Sequence, residues 1–338
     1  MINNYVERLI VKENLSEEEM TLIMDNIMEG KLTNSQIASF LTALRIKGEN
    51  VDEITAAARV MRSKVIPLGK IDEFTIDTCG TGGDKKGTFN VSTAVSMIAA
   101  AAGITVVKHG NRSVSSNCGS ADVLETLGVN ISMAPEDVYQ CIKEVNIGFL
   151  FAPTFHPAMK YAAVPRREMG IRTIFNILGP LTNPASANGQ VLGVFSPALT
   201  ESLAKVLKNL GTERAMVVHG LDGMDEITLS GDTQVSELRD GEIETYIINP
   251  SDFGLKTSDM SEVIGGDSKK NAQIIIDIFN GENGSKRDIV LLNAAAALVV
   301  GKKAKDMNEG IEMAKEIIDS GKAMKKLNEW KSFCERVK

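Results

Sequence analysis

From Phe74 onward, short β-branched runs take turns with helical stretches, and before it the chain shows helical spacing only. That change of period constrains the fold more than any single residue does. "FTID", "ITVVKH", "IGFLFAP", "QVLGVFS" and "RAMVVHG" read as strands. The helical stretches between them include "STAVSMIAAAAG" and "SADVLETLG". Strands joined through helices run parallel, so the alternation predicts an α/β domain with a mostly parallel central sheet. "TLSGDTQVSELRDGEIETYII" differs, because Asp240-Gly241 reads as a hairpin turn between antiparallel strands. From Ser268 the chain is mostly helical again.

The first part reads as helices closed by explicit signals. Ser16 with Glu19, and Thr33 with Gln36, have capping-box spacing, and Gly30 and Gly48 act as stops. A third helix is expected from Asp52 to about Lys64. With 338 residues the chain exceeds what one core usually holds, so two domains are expected. The stretch Pro153–Pro184 interrupts the alternation. It holds five of the nine prolines, and Lys160, Arg166, Arg167 and Arg172 outweigh Glu168. Such a basic, turn-rich segment suits a crossing between domains or the wall of an anion cleft.

Two strand–loop–helix units carry the chemistry. In "DTCGTGGDKKGTFNVST", Gly80, Gly82 and Gly83 follow a strand, and a helix begins near Ser92. Bare backbone lets N–H groups approach an anion, and the helix start adds unpaired donors and positive dipole. Asn90, Ser92 and Thr93 add side-chain donors, so the unit suits phosphate or pyrophosphate. The loop matches neither GxGxxG nor a Walker sequence. A tight turn with an Asn/Ser cap accounts for the same letters.

The second unit, "KHGNRSVSSNCGSADVLE", offers Lys108 and Arg112 as charges, and Asn111, Ser113, Ser115, Ser116 and Asn117 as donors. A solvated serine-rich loop is the plain alternative. In a parallel sheet both loops fall on one edge. Asp225 and Glu226 in "HGLDGMDEITLSG" are a solvated turn if they stand alone. Beside a diphosphate they are suited to Mg²⁺, which takes carboxylate and phosphate oxygens together. His109, His156 and His219 lack zinc spacing. His109 and His156 are expected to position substrate, and His219 to be structural.

The net charge of −7 and the lack of a basic run argue against nucleic-acid binding. Four cysteines without CxxC spacing fit a reducing compartment. No apolar stretch is long enough to span a bilayer and no signal peptide is read at the start, so a cytoplasmic protein is expected.

"GTGGD" with "TFNVST", "KHGNRSVSSNCGSADVLE", "RTIFNILGPLTNP" and "DGMDEI", in this order, closely resemble the signatures of the anthranilate phosphoribosyltransferase family. The resemblance runs over nearly the whole chain. It implies transfer of phosphoribosyl from 5-phosphoribosyl 1-pyrophosphate to the amine of anthranilate in tryptophan biosynthesis, with Mg²⁺. It also implies a homodimer formed through the helical domain, and a fold similar to that of the pyrimidine nucleoside phosphorylases. That fold has a helical domain, residues 1–70, hinged to an α/β domain, residues 71–159 and 186–338. The inserted segment at about 160–185 joins the helical part.

By the same resemblance, Gly80, Gly83, Asp84 and Thr88 match the pyrophosphate loop. Asn90, Val91, Ser92 and Thr93 match the helix start that holds the donor. Lys108, His109, Gly110, Asn111, Arg112, Ser113, Val114, Ser115 and Ser116, with Ser120, match the second donor loop. Ser92, Asp225 and Glu226 match the metal positions. Gly80, Asn111 and Arg166 match anthranilate contacts, and His109 is a candidate proton acceptor. A nucleoside phosphorylase of the same fold, and a non-catalytic phosphoribosyl-binding regulator, are the competing readings.

Overall fold

A computed structural model describes residues 2–84, 86–113 and 118–337. Four helices come first: α1 (Ile2–Ile10), α2 (Glu17–Met28), α3 (Asn34–Lys47) and α4 (Val51–Ser63). The last three each start at a capping box: Ser16 with Glu19, Thr33 with Gln36, and Asn50 with Glu53. These reciprocal bonds satisfy N–H groups that a helix start otherwise leaves unpaired.

The strands are β1 (Thr75–Gly80), β2 (Thr105–Gly110), β3 (Ile147–Phe151), β4 (Gly189–Gly193), β5 (Arg214–Gly220), β6 (Thr233–Arg239) and β7 (Glu242–Ile248). They form one sheet in the order β3-β2-β1-β4-β5-β6-β7. The first five in chain order pair in parallel, and β6 and β7 are antiparallel. The hairpin between them turns at Asp240 and Gly241, both with positive φ, as the sequence predicts. The helical N-terminal part and the mostly parallel α/β part with C-terminal helices are therefore as expected.

Both faces of the sheet are covered. On β4 and β5, Leu192, Ala215 and Val217 enter one core, while Val191, Met216 and Val218 enter the other. That is the two-residue period of a strand buried on both sides. The first core is shared with α1–α4 and with the helices Lys160–Met169, Phe175–Leu181 and Ala198–Asn209. The second holds α5 (Val91–Ala101) and the helices from Ser268–Phe279 to Lys322–Arg336. The N-terminal helices enclose no core of their own. Phe40, Leu44, Ile54 and Met61 share one cluster with Ile174, Leu178 and Leu181, and with the sheet. Among the described residues no helix is long and apolar enough to cross a membrane.

Candidate active site

The carboxyl ends of β1, β2, β4 and β5 lie along one edge, where open α/β sheets bind ligands. Gly80 ends β1 directly opposite Gly193, which ends β4. Beyond Gly80 the chain turns through Gly82 and Gly83, at φ +65° and +77°, left-handed values that favour glycine. The loop after β5 then folds back over both strand ends. A Cβ on Gly80 would stand 2.6 Å from Asp225 Oδ2, and one on Gly193 would stand 1.6 Å from the Asp225 carbonyl oxygen. Glycine at both places is what lets Asp225 sit there. Its Oδ2 accepts the Gly82 N–H at 2.7 Å, and Glu226 Oε1 accepts the Ser92 N–H at 3.2 Å. The adjacent carboxylates thus reach the glycine loop and the start of α5 at once.

Burial pushes both acids up. Glu226 rises to about 8 through desolvation and the neighbouring Asp225, with Lys108 pulling the other way. Asp225 rises through desolvation and the charge of Asp84. Asp84 Oδ2 is itself buried and has no hydrogen-bond partner among the described residues. Buried and half-buried acids that outnumber Lys108, next to a serine hydroxyl, form a hard-oxygen set that fits a divalent cation. Among the described residues no three Asp, Glu, His or Cys side chains converge to hold a metal alone. The fit is to an ion that shares its shell with bound phosphate.

Lys108 lies beneath this edge, 1% exposed. Its ammonium donates to the Thr78 carbonyl and reaches Ser92 Oγ at 3.5 Å. Desolvation lowers its pKa against the pull of Asp77. Asp77, pushed up to about 6 by burial, accepts from the His109 N–H at 3.2 Å and from Asn183 Nδ2 at 2.8 Å. Val91 turns into the core, Thr93 Oγ1 is buried with no partner among the described residues, and Thr88 bridges to Ile264.

The second loop is tied to its own helix, α6 (Ser120–Thr126). Asp122 Oδ2 accepts the Gly119 and Ser113 N–H groups at 2.9 and 3.1 Å. Arg112 is held by Glu125 and Asp122, with bonds of 2.9–3.0 Å, rather than turned toward the glycine loop. The Asn111 carbonyl accepts from Ser120 Oγ at 3.4 Å, and a Cβ on Gly110 would meet that hydroxyl at 2.3 Å. Val114, Ser115 and Ser116 lie outside the described residues. Asn90 joins the two units, donating to the Cys118 carbonyl at 3.2 Å and accepting from Asn271 at 3.0 Å.

The structure separates the arginines of the inserted segment. Arg166 is half-buried, its guanidinium 5.1 Å from the Phe175 ring centre, and desolvation lowers its pKa. The guanidinium makes no hydrogen bond or ion pair among the described residues. Arg172, which the sequence reading leaves unassigned, stacks 4.1 Å over Phe195 and donates to the Gly83 carbonyl. His109 and His156 are both buried, with ring centres 5.0 Å apart and each Nε2 without a partner among the described residues. Burial pushes them down to about 3 and about 4. His219 Nδ1 meets the Val194 carbonyl at 2.6 Å, a structural contact at the end of β5.

The helical unit and the mostly parallel sheet, with a glycine loop and paired carboxylates at the strand ends, are those of the glycosyl transferase family, because both parts of the chain match its domains. Residues 3–65 match the glycosyl transferase family's helical bundle domain, and residues 72–324 match that family's α/β domain. Within that class the chain belongs to the anthranilate phosphoribosyltransferase family. The anthranilate phosphoribosyltransferase of Alkaliphilus metalliredigens is 58% identical over 338 residues, 100% of both chains. The crystal structure of the Thermus thermophilus enzyme superposes with a TM-score of 0.92 at 42% identity, covering 98% of this chain and 99% of that one. The Saccharomyces cerevisiae enzyme, solved in complex with PRPP and Mg, gives 0.90 at 29% identity, covering 99% and 98%.

Proposed function

We propose that this chain transfers the phosphoribosyl group of 5-phosphoribosyl 1-pyrophosphate to the amine of anthranilate, in tryptophan biosynthesis. The products are N-(5-phosphoribosyl)anthranilate and pyrophosphate. The amine lone pair forms the new bond to the anomeric carbon. The bond from that carbon to the diphosphate oxygen breaks, and its electron pair leaves with pyrophosphate. The amine proton is released to solvent. The transition state is oxocarbenium-like, so the main task is to stabilise charge on the leaving diphosphate.

The observation that carries this reading is the joint reach of Asp225 to Gly82 and of Glu226 to Ser92. It brings the carboxylate pair to the backbone donors a diphosphate needs. Gly80, Gly83, Asp84, Thr88 and residues 90–93 hold the pyrophosphate side of the donor. Residues 108–116 and Ser120 hold its remainder. Ser92, Asp225 and Glu226 hold Mg²⁺, which when bound offsets the charge of the diphosphate. Arg172, at the Gly83 carbonyl, closes the glycine loop from the side of the inserted segment.

Arg166 pairs with the anthranilate carboxylate, with Gly80 and Asn111 beside it. A half-buried guanidinium with no anion beside it among the described residues is suited to a planar carboxylate. The aromatic amine is neutral at pH 7 and needs orientation more than a base. His109 stands near the end of β2, and burial leaves its ring weakly basic, so solvent rather than this ring takes the amine proton.

The helical part and the inserted segment form one unit that closes on the α/β part, excluding water. The exposed Ile10 at the end of α1, Val11 just beyond it and Ile46 on α3 support a homodimer through the helical part. The enzyme works in the cytoplasm.

Anthranilate fluorescence tests the reaction. Its loss should need the protein, phosphoribosyl pyrophosphate and Mg²⁺ together, and EDTA should stop it. No loss, with calorimetry still detecting donor binding, would overturn the choice of acceptor.

A further inference from the structure

We infer that Asn293 is a positioning residue for the Asp225–Glu226 pair, locking it from the far side of the loop. The inference rests on the reading that this pair holds the cation. Asn293 sits in the helix Ser285–Val300, within "LLNAAAALVV", where its neighbours are apolar. It is 1% exposed, so its amide has no water to satisfy it. The amide spends two of its bonds on one residue outside its helix. Its Oδ1 accepts the Ile227 N–H at 2.9 Å, and its Nδ2 donates to the Ile227 carbonyl at 2.9 Å. The second Nδ2 hydrogen goes to the Ile289 carbonyl at 2.9 Å, which fixes the rotamer from within the helix.

Ile227 directly follows Glu226. A side-chain amide that pairs with both polar groups of one residue acts as a strand neighbour would, and fixes that residue's orientation. The other end of the loop is held separately. Asp222 accepts from the Met224 N–H at 3.0 Å and from Thr228 Oγ1 at 2.6 Å, and also from Ser230. Beneath, Gly193 leaves no room for Asp225 to sink. Of these restraints, the Asn293 pair is the one that ties the carboxylates to the helical layer packed behind the sheet. Partners that bond a metal ligand directly change metal affinity about 10–100-fold when removed, and Asn293, acting through the residue after Glu226, is expected at the low end of that range.

The test is Mn²⁺ binding to the purified full chain with phosphoribosyl pyrophosphate present, read by electron paramagnetic resonance of the free ion. Asn293→Leu removes the pair while suiting its apolar surroundings. Leu298→Ala, in the same helix, is the control for simple loss of packing. Asn293→Leu should weaken Mn²⁺ binding about tenfold or more. The KM for the donor should rise in parallel, with the KM for anthranilate within about twofold. Leu298→Ala should lower the melting temperature and leave Mn²⁺ affinity unchanged. If Asn293→Leu does not fold, Asn293→Ser takes its place with the same expectation. Unchanged Mn²⁺ affinity in the Asn293 variant overturns the inference and leaves the carboxylate reading intact. Wild-type binding that is absent, or insensitive to Asp225→Asn with Glu226→Gln, overturns both.

Discussion

Gly193 shows how much one missing methyl decides. A Cβ there would fall 1.6 Å from the Asp225 carbonyl oxygen, so Gly193→Ala must displace the loop that carries the carboxylates. We expect at least about a hundredfold loss in kcat/KM for the donor, the scale of an ångström misplacement at a reacting site. Steady-state kinetics at saturating anthranilate measures it, and near wild-type values would mean the loop has slack. Arg172→Ala should raise the KM for the donor more than that for anthranilate, whereas Arg166→Ala should do the reverse; interchanged effects would show the two arginines are misassigned. The buried histidines give a pH signature. Their folded values, about 3 for His109 and about 4 for His156, lie below the ordinary 6.5. The unfolded chain therefore binds their protons first, and stability falls as pH drops below 6.5. Each ring contributes about 1.4 kcal/mol per pH unit within that window. Urea unfolding at pH 7, 6 and 5 should show a shallower decline in His156→Asn than in wild type, and parallel declines would refute the assignment.

The elements are legible where their signals are local. Ser16–Glu19, Thr33–Gln36 and Asp240-Gly241 are each decided within four residues, and each forms as expected. The Asn50–Glu53 box does not stand out in the sequence, because Asn before a helix reads equally as a turn. It does more than cap. The Glu53 carboxylate also accepts the Leu15 N–H at 2.9 Å and pairs with Lys47 at 2.8 Å, both side chains buried. Breaking a buried pair strands a charge, so Lys47→Ala should cost about 3–5 kcal/mol of stability. Because this pair is remote from the strand ends, KM values should hold at temperatures where the variant stays folded. At the site, the glycine loop and the paired carboxylates can be found from letters alone. Arg172 at Gly83 and Asn293 at Ile227 cannot, since their partners are 89 and 66 residues away and carry no shared motif. The engagement of Arg112 by Glu125 is hidden for a different reason. A cation in a polar loop looks free until the following helix is given a direction.

At the scale of the molecule, the first 65 residues contribute half of a core whose other half arrives late. Their apolar faces pack with Ile174, Leu178, Leu181, Leu203 and Val217. Arg62 is fixed the same way, donating to the Leu181 carbonyl at 2.8 Å and the Leu210 carbonyl at 3.2 Å. Residues 1–70 made alone should therefore show no cooperative thermal transition; a sharp one by circular dichroism would contradict this. On the ribosome the same arrangement becomes a delay. At about 5–20 residues per second, the N-terminal helices wait on the order of ten seconds for their partners to be synthesised. Over that interval the nascent chain carries an unfinished greasy surface, and newborn molecules should depend on chaperone cover more heavily than the finished protein's stability suggests.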